Sequence, residues 1–254
     1  MANCFDNELS TSEWDKLPSR IEGSFEILLN ILEEKEIKST MFFLGYIARK
    51  YPTLIKTAHE RGHEIASHGY YHRLVYTQTP KEFKKDVTKS IKTLEDLTGK
   101  KVLGYRAPSF SLDIRNPYYL DALTENGVKY DSSVFPSRSK SRTKHMGDSP
   151  FRIKQNLTEI PLSTHQILNL NFPIGGAFFR LYPQKLNNYL FKEKLKKTNV
   201  IFYLHPWELL NEHPFYPKNY YLRFKHKFNI GNNCIDKIHS LPQSEHGVLK
   251  DLII

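Results

Sequence analysis

The chain has 254 residues, a formal net charge of +10, 39% hydrophobic residues and 13% aromatic residues. This length suits one barrel or α/β domain with a substantial core, so we expect a single domain over residues 1–254, extended at its C-terminal end from about residue 210. No apolar run approaches the ~20 residues that a membrane span needs. Residues 1–8 are acidic where a secretory signal would be basic, which favours a cytoplasmic protein.

The positive charge raises the question of a nucleic-acid partner, because a basic surface attracts polyanions. Basic residues gather at 138–145 and at 192–197. Neither run is interleaved with aromatic residues, and no helix-turn-helix, zinc-finger or RNA-binding signature accompanies them. We therefore favour a solvated charged face and no nucleic-acid partner. The two cysteines, Cys4 and Cys234, are too few for a disulfide framework.

Helical and strand-like segments alternate along the chain. Capping signals and helical spacing of apolar residues predict helices at residues 19–35, 52–62, 80–98, 118–126 and 184–196. Short apolar runs predict strands at residues 39–44, 63–67, 102–105, 128–131, 157–163 and 200–204. The polar, basic residues 137–156 predict a long surface loop. Successive strand–helix units predict parallel strands and an α/β fold, specifically a distorted (β/α) barrel.

Several polar side chains follow the predicted strands directly. His68 and His72 lie four residues apart after one strand, and Arg106 and Asp131 stand at the ends of two others. Active sites of such barrels assemble at the C-terminal ends of the strands. Two imidazoles on one tight loop could bind a single divalent ion, although packed or solvated histidines produce the same spacing.

Four motifs occur in a fixed order: HEIASHGYYH at 63–72, GYRAPSFS at 104–111, YDSS at 130–133 and FYLHPW at 202–207. Together they resemble the motifs of the polysaccharide deacetylases, the metal-dependent carbohydrate esterases of family four. The resemblance covers residues 1–210 and is strongest to the branch associated with bacterial exopolysaccharide loci. It implies a hydrolase that removes acetyl groups from N-acetylated sugars of a surface or extracellular polysaccharide or its precursor.

The resemblance also implies roles for individual residues. His68 and His72 would bind a divalent metal, zinc being expected and cobalt, nickel or manganese being alternatives. Arg106 would orient the catalytic aspartate, His205 would protonate the leaving amine, and Asp131 would hold that histidine protonated and oriented. Substrate-binding roles fall on the residues around the second motif and on a paired glycine, namely Tyr105, Pro108, Ser109 and Gly176. The same glycine pair could equally form an ordinary turn.

One family motif has no counterpart in this sequence. In the family, an aspartate pair on the first strand supplies the general base and a third metal ligand. The acidic residues near the start lie in a linker-like stretch and are not assigned to these roles: Asp6, Glu8, Glu13 and Asp15. We therefore expect that the first strand is missing, that the segment at 39–44 becomes an open sheet edge, and that this 254-residue form is poorly soluble and nearly inactive.

Three explanations for this departure stay open: a misplaced start, a fragment, or natural loss of activity. The last would make the protein a catalytically incomplete carbohydrate-binding relative, which is the main alternative to an active deacetylase. A basic nucleic-acid-binding protein is a further alternative. The sequence does not indicate which N-acetylated sugar is bound, or the oligomeric state.

Overall fold

The computed structural model describes residues 14–15, 19–136, 147–168, 170–212, 224 and 226–254. The chain divides into two compact units. The first, here called the sheet unit, comprises Lys35–Phe135, Asp148–Pro161 and His246–Ile254. The second, here called the hairpin unit, comprises Met1–Glu34, Pro136–Gly147 and Leu162–Glu245. Our expectation of a single domain stays a prediction.

The helices and strands follow one another as the alternating pattern predicts. The helices are α1 (Ile21–Glu34), α2 (Gly45–Lys50), α3 (Pro52–Glu60), α4 (Pro80–Thr98), α5 (Pro117–Glu125), α6 (Gly176–Leu181), α7 (Gln184–Leu195) and α8 (Asn232–His239). The strands are β1 (Thr40–Phe43), β2 (Glu64–Ser67), β3 (Gly104–Tyr105), β4 (Tyr130–Asp131), β5 (Phe151–Lys154), β6 (Leu157–Glu159), β7 (Thr164–Ile167) and β8 (Leu170–Pro173). In the described part of the chain, no helix is long and apolar enough to cross a membrane.

The sheet unit is built on six strands in the order β1-β2-β3-β4-β6-β5. β1 to β4 and β6 run parallel, and β5 joins β6 in the antiparallel direction. This arrangement confirms the predicted α/β class with a mainly parallel sheet. Among the described residues the sheet is open, with β1 and β5 at its edges. Because the strands are parallel, their carboxyl ends meet at one edge of the sheet, where His68, Arg106 and Asp131 lie.

Helix α4 shows how the sequence fixes an element beside this edge. The Thr79 hydroxyl accepts the Glu82 backbone N–H at 3.3 Å, and the Glu82 carboxylate accepts the Thr79 N–H at 2.8 Å. Gly99 ends the helix in a left-handed conformation with φ 65°. The Ser90 and Ser67 hydroxyls, 2.9 Å apart, join α4 to the end of β2. The helix is therefore anchored at the carboxyl end of β2, where the next loop begins.

The hairpin unit contains the antiparallel pair β7–β8 and helices α1, α6, α7 and α8. One of its apolar clusters joins α1, α6, α8 and the turn after residue 205 through buried Ile31, Phe179, Leu209, Cys234 and Ile238. A second cluster packs α7 against the residues that follow β8, through Ile174, Leu190 and Phe191. These clusters give the unit its own core.

Two predictions of secondary structure are wrong. The predicted strand at 200–204 is not a strand, because its backbone bonds to a side chain and a loop: Ile201 N–H donates to Ser163 Oγ at 2.8 Å, and the Tyr203 carbonyl accepts the Gly176 N–H at 2.6 Å. The predicted loop at 137–156 contains strand β5, which forms a hairpin with β6. Residues 137–146 of that loop lie outside the described residues.

The last residues of the chain pack against the amino ends of the parallel strands. Leu249 N–H donates to Thr40 Oγ1 at 2.8 Å, and Lys250 N–H donates to the Glu64 carboxylate at 3.2 Å. The Thr158 hydroxyl donates to the Ile254 carbonyl at 3.0 Å. This C-terminal segment therefore covers the end of the sheet opposite to the predicted site.

Candidate active site

The loop of residues 68–72, here called the histidine loop, carries both predicted metal ligands. His68 Nδ1 lies 2.7 Å from the backbone carbonyl oxygen of Arg106. A carbonyl can only accept, so Nδ1 carries the hydrogen and the lone pair of the neutral ring lies on Nε2. The rings of His68 and His72 are 5.0 Å apart between centroids, at an interplanar angle of 71°. Metal-binding histidines usually have their second nitrogen fixed in this way.

Helix α4 holds the histidine loop in place. The carboxylate of Asp86 accepts the N–H of Tyr70 at 2.7 Å and that of Tyr71 at 3.3 Å. Ser90 Oγ donates to the carbonyl of Gly69 at 3.0 Å. His72 has φ 55°, a conformation that is costly for a residue with a side chain and that recurs at functional sites. The loop geometry is therefore imposed by neighbouring hydrogen bonds.

The two imidazoles suit zinc or another first-row divalent ion in their chemistry. Both side chains are half-buried at the carboxyl end of β2, and one has its tautomer fixed. Within the described ranges, no group of three His, Cys, Asp or Glu side chains comes together as a metal site. Of the four carboxylates considered from the sequence, Asp6, Glu8 and Glu13 lie outside the described residues and Asp15 lies within them. Two of the described side chains, His68 and His72, are therefore suitable ligands for a divalent metal.

Arg106 contributes to this site through both its backbone and its side chain. Its guanidinium, in a residue only 9% exposed, donates to the carbonyl of Ser132 at 3.0 Å and to the Ser132 hydroxyl at 2.7 Å. It also lies 4.2 Å from the ring centroid of Phe42. These contacts hold the side chain rigid while its carbonyl fixes His68.

Asp131 forms a fully buried pair with Glu159, its register partner on β6. The Ser133 hydroxyl and N–H donate to Asp131 at 2.6 and 3.2 Å, and Val134 N–H donates to Glu159 at 2.8 Å. In the described part of the chain Glu159 Oε2 is buried without a hydrogen-bond partner, and two adjacent buried carboxyl groups disfavour a second negative charge. Burial and then the charge of Asp131 raise the pKa of Glu159 well above its ordinary value, which favours the protonated form of Glu159.

Replacing Glu159 by glutamine is expected to stabilise the fold at neutral pH. The raised pKa means that folded Glu159 keeps a proton that the unfolded chain releases above an ordinary value of 4.5. The free energy of unfolding of wild type should therefore fall as pH rises from that ordinary value towards the raised pKa of Glu159. The glutamine amide of the variant would supply the same hydrogen at every pH. Urea unfolding should show a flatter pH profile and a gain of about 1–3 kcal/mol near neutral pH.

Glu125→Gln, which removes an exposed carboxylate paired with Lys84 in the same unit, is the matched control and should leave the pH profile unchanged. A profile for Glu159→Gln that keeps the wild-type slope would contradict a protonated Glu159 in the folded protein.

The predicted substrate-binding residues of the second motif differ in exposure. Tyr105 is 1% exposed and packs edge-on against Phe83, and burial raises the pKa of its hydroxyl well above the ordinary value. Pro108 is buried, whereas Ser109 is exposed and adopts φ 51°. Phe110 follows with φ 54°, so two consecutive side-chain-bearing residues are in the left-handed region. The substrate contacts of these residues stay a prediction.

Gly176, the remaining predicted substrate contact, packs against the residue two positions before His205. Its N–H donates to the Tyr203 carbonyl at 2.6 Å. A Cβ at Gly176 would lie 2.6 Å from the Tyr203 hydroxyl, so only glycine fits. The structure thus gives Gly176 a packing role, and substrate binding there stays a prediction.

His205, predicted as the general acid, lies in the hairpin unit and has a side chain that is 47% exposed. Its Nδ1 is 2.8 Å from Glu208 Oε1, and the same oxygen accepts its backbone N–H at 2.9 Å. Arg180 Nε donates to the other carboxylate oxygen at 2.5 Å. Within the hairpin unit His205 therefore contacts the carboxylate of Glu208, and the support of His205 by Asp131 stays a prediction.

The pKa of Glu208 reflects opposing effects. Burial alone would raise it, but the hydrogen bond from His205 and the charges of His205 and Arg180 outweigh burial and lower the pKa below its ordinary value. Glu208 is thus an ionised carboxylate in the interior of the unit.

Four residues of this description were not found from the sequence: Asp86, Glu159, Arg180 and Glu208. Glu208 had a local signal, since it lies three residues after His205 across a proline that begins a helical turn, which is capping geometry. The signal for Asp86 was its position on the predicted helix α4, directly before Val87 of the buried apolar face. The other two had no usable signal, because their partners are distant in sequence.

Comparison with known proteins assigns the family. Residues 4–131 match the polysaccharide deacetylase family model, and residues 132–249 match a domain of unknown function. The chain belongs to the polysaccharide deacetylase family, which confirms the resemblance. It is 30% identical over 131 residues to a peptidoglycan deacetylase of Helicobacter pylori, covering 51% of this chain and 43% of that protein.

A peptidoglycan-N-acetylglucosamine deacetylase of Bacillus cereus is 31% identical over 103 residues, covering 41% of this chain and 34% of that protein. The chain spans less than half the length of these two relatives. A solved structure from Mycobacterium smegmatis assigned to the polysaccharide deacetylases is 25% identical with a TM-score of 0.53, covering 72% of this chain and 63% of that one. A family-four pseudoenzyme from Bacillus anthracis shares the fold, at 12% identity and a TM-score of 0.51, over 91% of this chain and 61% of that one.

Proposed function

We propose that this protein is a divalent-metal-dependent hydrolase that removes acetyl groups from N-acetylated sugars. The observation that carries the proposal is the hydrogen bond from His68 Nδ1 to the Arg106 carbonyl, since it presents Nε2 as a ligand atom beside His72. Zinc is the metal proposed, with cobalt, nickel and manganese as alternatives. Family membership supports hydrolysis of an acetamide.

The reaction converts an acetamide and water into a free amine and acetate. His68 and His72 would hold the divalent ion, which would supply Lewis-acid polarisation of the acetyl carbonyl and activation of water. The water oxygen bonds to the acetyl carbon, and when the carbon–nitrogen bond breaks its electron pair stays on the sugar nitrogen, which takes a proton from Nε2 of the protonated His205 ring. The exposed His205 ring, held at Nδ1 by Glu208, supports this assignment. Arg106, held rigid by Ser132, is the cation proposed to orient the carboxylate that acts as base.

The names of the relatives support a glycan substrate, since they include peptidoglycan deacetylases and a chitin deacetylase of Cryptococcus neoformans. We propose a polysaccharide of the bacterial surface or its precursor.

The test is acetate release, with added zinc or cobalt, from chito-oligosaccharides, peptidoglycan fragments and O-acetylated xylan. Release from the N-acetylated glycans and little from the xylan is expected. Binding of N-acetylated glycan without any release would instead make the protein a carbohydrate-binding relative. Release from the xylan alone would contradict the amide specificity.

A further inference from the structure

Three side chains of the hairpin unit form a buried chain of charges that ends at an exposed ring: Arg180, Glu208 and His205, here called the histidine cluster. We infer that Glu208 and Arg180 are positioning residues that hold one hydrogen of His205 on Nδ1, so that the protonated ring donates its second hydrogen from Nε2. The inference rests on the proposed deacetylase function, in which His205 protonates the leaving amine.

Glu208 holds His205 at two points. One carboxylate oxygen accepts both the backbone N–H, at 2.9 Å, and Nδ1–H, at 2.8 Å. Both contacts are local, because residues 206–209 form a single helical turn that begins at Pro206. The main-chain contact fixes the carboxylate relative to the His205 backbone, and the ring contact then sets the ring orientation. The ring therefore points Nε2 away from Glu208.

Arg180 keeps the Glu208 carboxylate ionised, so that it can only accept hydrogen bonds. Arg180 is 2% exposed and Glu208 is 1% exposed, and the guanidinium donates to the second carboxylate oxygen at 2.5 Å. It also donates to the Phe228 carbonyl at 2.6 Å and lies 5.2 Å from the Trp207 ring centroid. A buried carboxylate with such a partner stays ionised, so the hydrogen between Glu208 and His205 belongs to the imidazole.

The fold brings Arg180 to Glu208 through the paired glycines before α6. A Cβ at Gly175 would lie 2.8 Å from the backbone nitrogen of Tyr203, so glycine is required for α6 to begin against the segment that leads to His205. At the other end of α6, Asn229 and Lys237 donate to the Arg180 carbonyl at 2.9 and 3.1 Å. The helix is thus fixed at both ends.

These residues all lie within 132–249, the part of the chain that matches a domain of unknown function. The histidine cluster gives that segment a chemical task, which is to present an oriented proton donor. The motif Leu-His-Pro-Trp-Glu contains both the donor and its local carboxylate.

The first test is nitrogen-15 NMR of the His205 ring in the full chain, at a pH where the ring is neutral. Wild type is expected to carry its hydrogen on Nδ1. The double variant Arg180→Met with Glu208→Leu removes the acceptor without leaving a buried charge, so it should fold, and its ring should shift to the Nε2–H tautomer. An Nε2–H ring in wild type, or an unchanged ring in the double variant, would overturn the inference.

The second test distinguishes positioning from a merely structural role by comparing two substrates, one whose leaving group needs a proton and one whose leaving group does not. On an N-acetylated sugar the double variant should lose about 10-fold or more in kcat, within the ~10²–10⁴ that general acid catalysis contributes. On 4-nitrophenyl acetate, whose leaving phenolate needs no proton, the loss should be small. Equal losses on both substrates would contradict positioning.

Glu193→Gln is the matched control in the same unit, because that carboxylate pairs with Lys196 on the surface of the hairpin unit. It should change neither the tautomer nor the rates. Should wild type show the Nδ1–H ring but release no acetate from any N-acetylated sugar, the arrangement of the cluster stands and the proposed function is contradicted.

Discussion

Replacing His68 by alanine is expected to abolish measurable binding of zinc and to lower acetate release by about 10³-fold. The metal supplies several kcal/mol of stabilisation to the transition state, and each ~1.4 kcal/mol is a factor of ten in rate. The Arg106 carbonyl fixes the tautomer of His68, so its loss removes an oriented ligand nitrogen from the histidine loop. His72→Ala should show the same direction of change.

Isothermal titration of the chelator-treated protein with zinc measures the binding directly, and an acetate assay measures the rate. His59→Ala is the matched control, because His59 lies on α3 in the same unit and is assigned no part in the site. It should bind zinc as wild type does. Wild-type affinity in His68→Ala would mean that the histidine loop does not hold the metal.

Replacing Arg180 by methionine is expected to destabilise the protein by about 3–5 kcal/mol. The substitution leaves the ionised Glu208 buried without the guanidinium that pairs with it. Replacing both residues, with Glu208→Leu added, should recover much of that loss, since paired buried charges can often be exchanged for apolar side chains. Urea unfolding of the two single variants and the double variant measures the coupling.

The pH dependence gives this prediction a second check. Because the pKa of folded Glu208 is below its ordinary value of 4.5, its contribution to stability is present above that value and is lost as pH falls through the folded pKa. Stability of the double variant should lack this loss. Arg20→Met removes an exposed pair with Glu212 in the same unit and should change stability by no more than about 1 kcal/mol. An equally small effect for Arg180→Met would contradict the compensating role of the guanidinium.

The part of the site on the parallel strands could be predicted from the sequence because its residues follow apolar runs directly. His68, Arg106 and Asp131 each stand at or just after a strand end, and parallel strands align such ends. Helix α4 could also be predicted from the sequence, since its capping box and its final glycine are local signals.

The hairpin unit could not be predicted in the same way. Its strand-like residues 200–204 take their hydrogen bonds from Ser163 and Gly176, which no periodicity reveals. The approach of Arg180 to Glu208 spans 28 residues and depends on the packing of α6. Similarly, the pairing of Asp131 with Glu159 depends on a strand register that sequence patterns do not specify.

The central claim is that acetyl removal depends on an ion held by the histidine loop, and restoring metal to stripped protein tests it most directly. Chelator-treated protein should release no acetate from an N-acetylated oligosaccharide, and added zinc or cobalt should restore release as about one ion per chain is bound. The sequence led us to expect that this form is nearly inactive, so the restored rate of acetate release should be small. That rate should still rise with the amount of metal bound. Acetate release that is unchanged by chelation, or that never appears at any metal concentration, would contradict the claim.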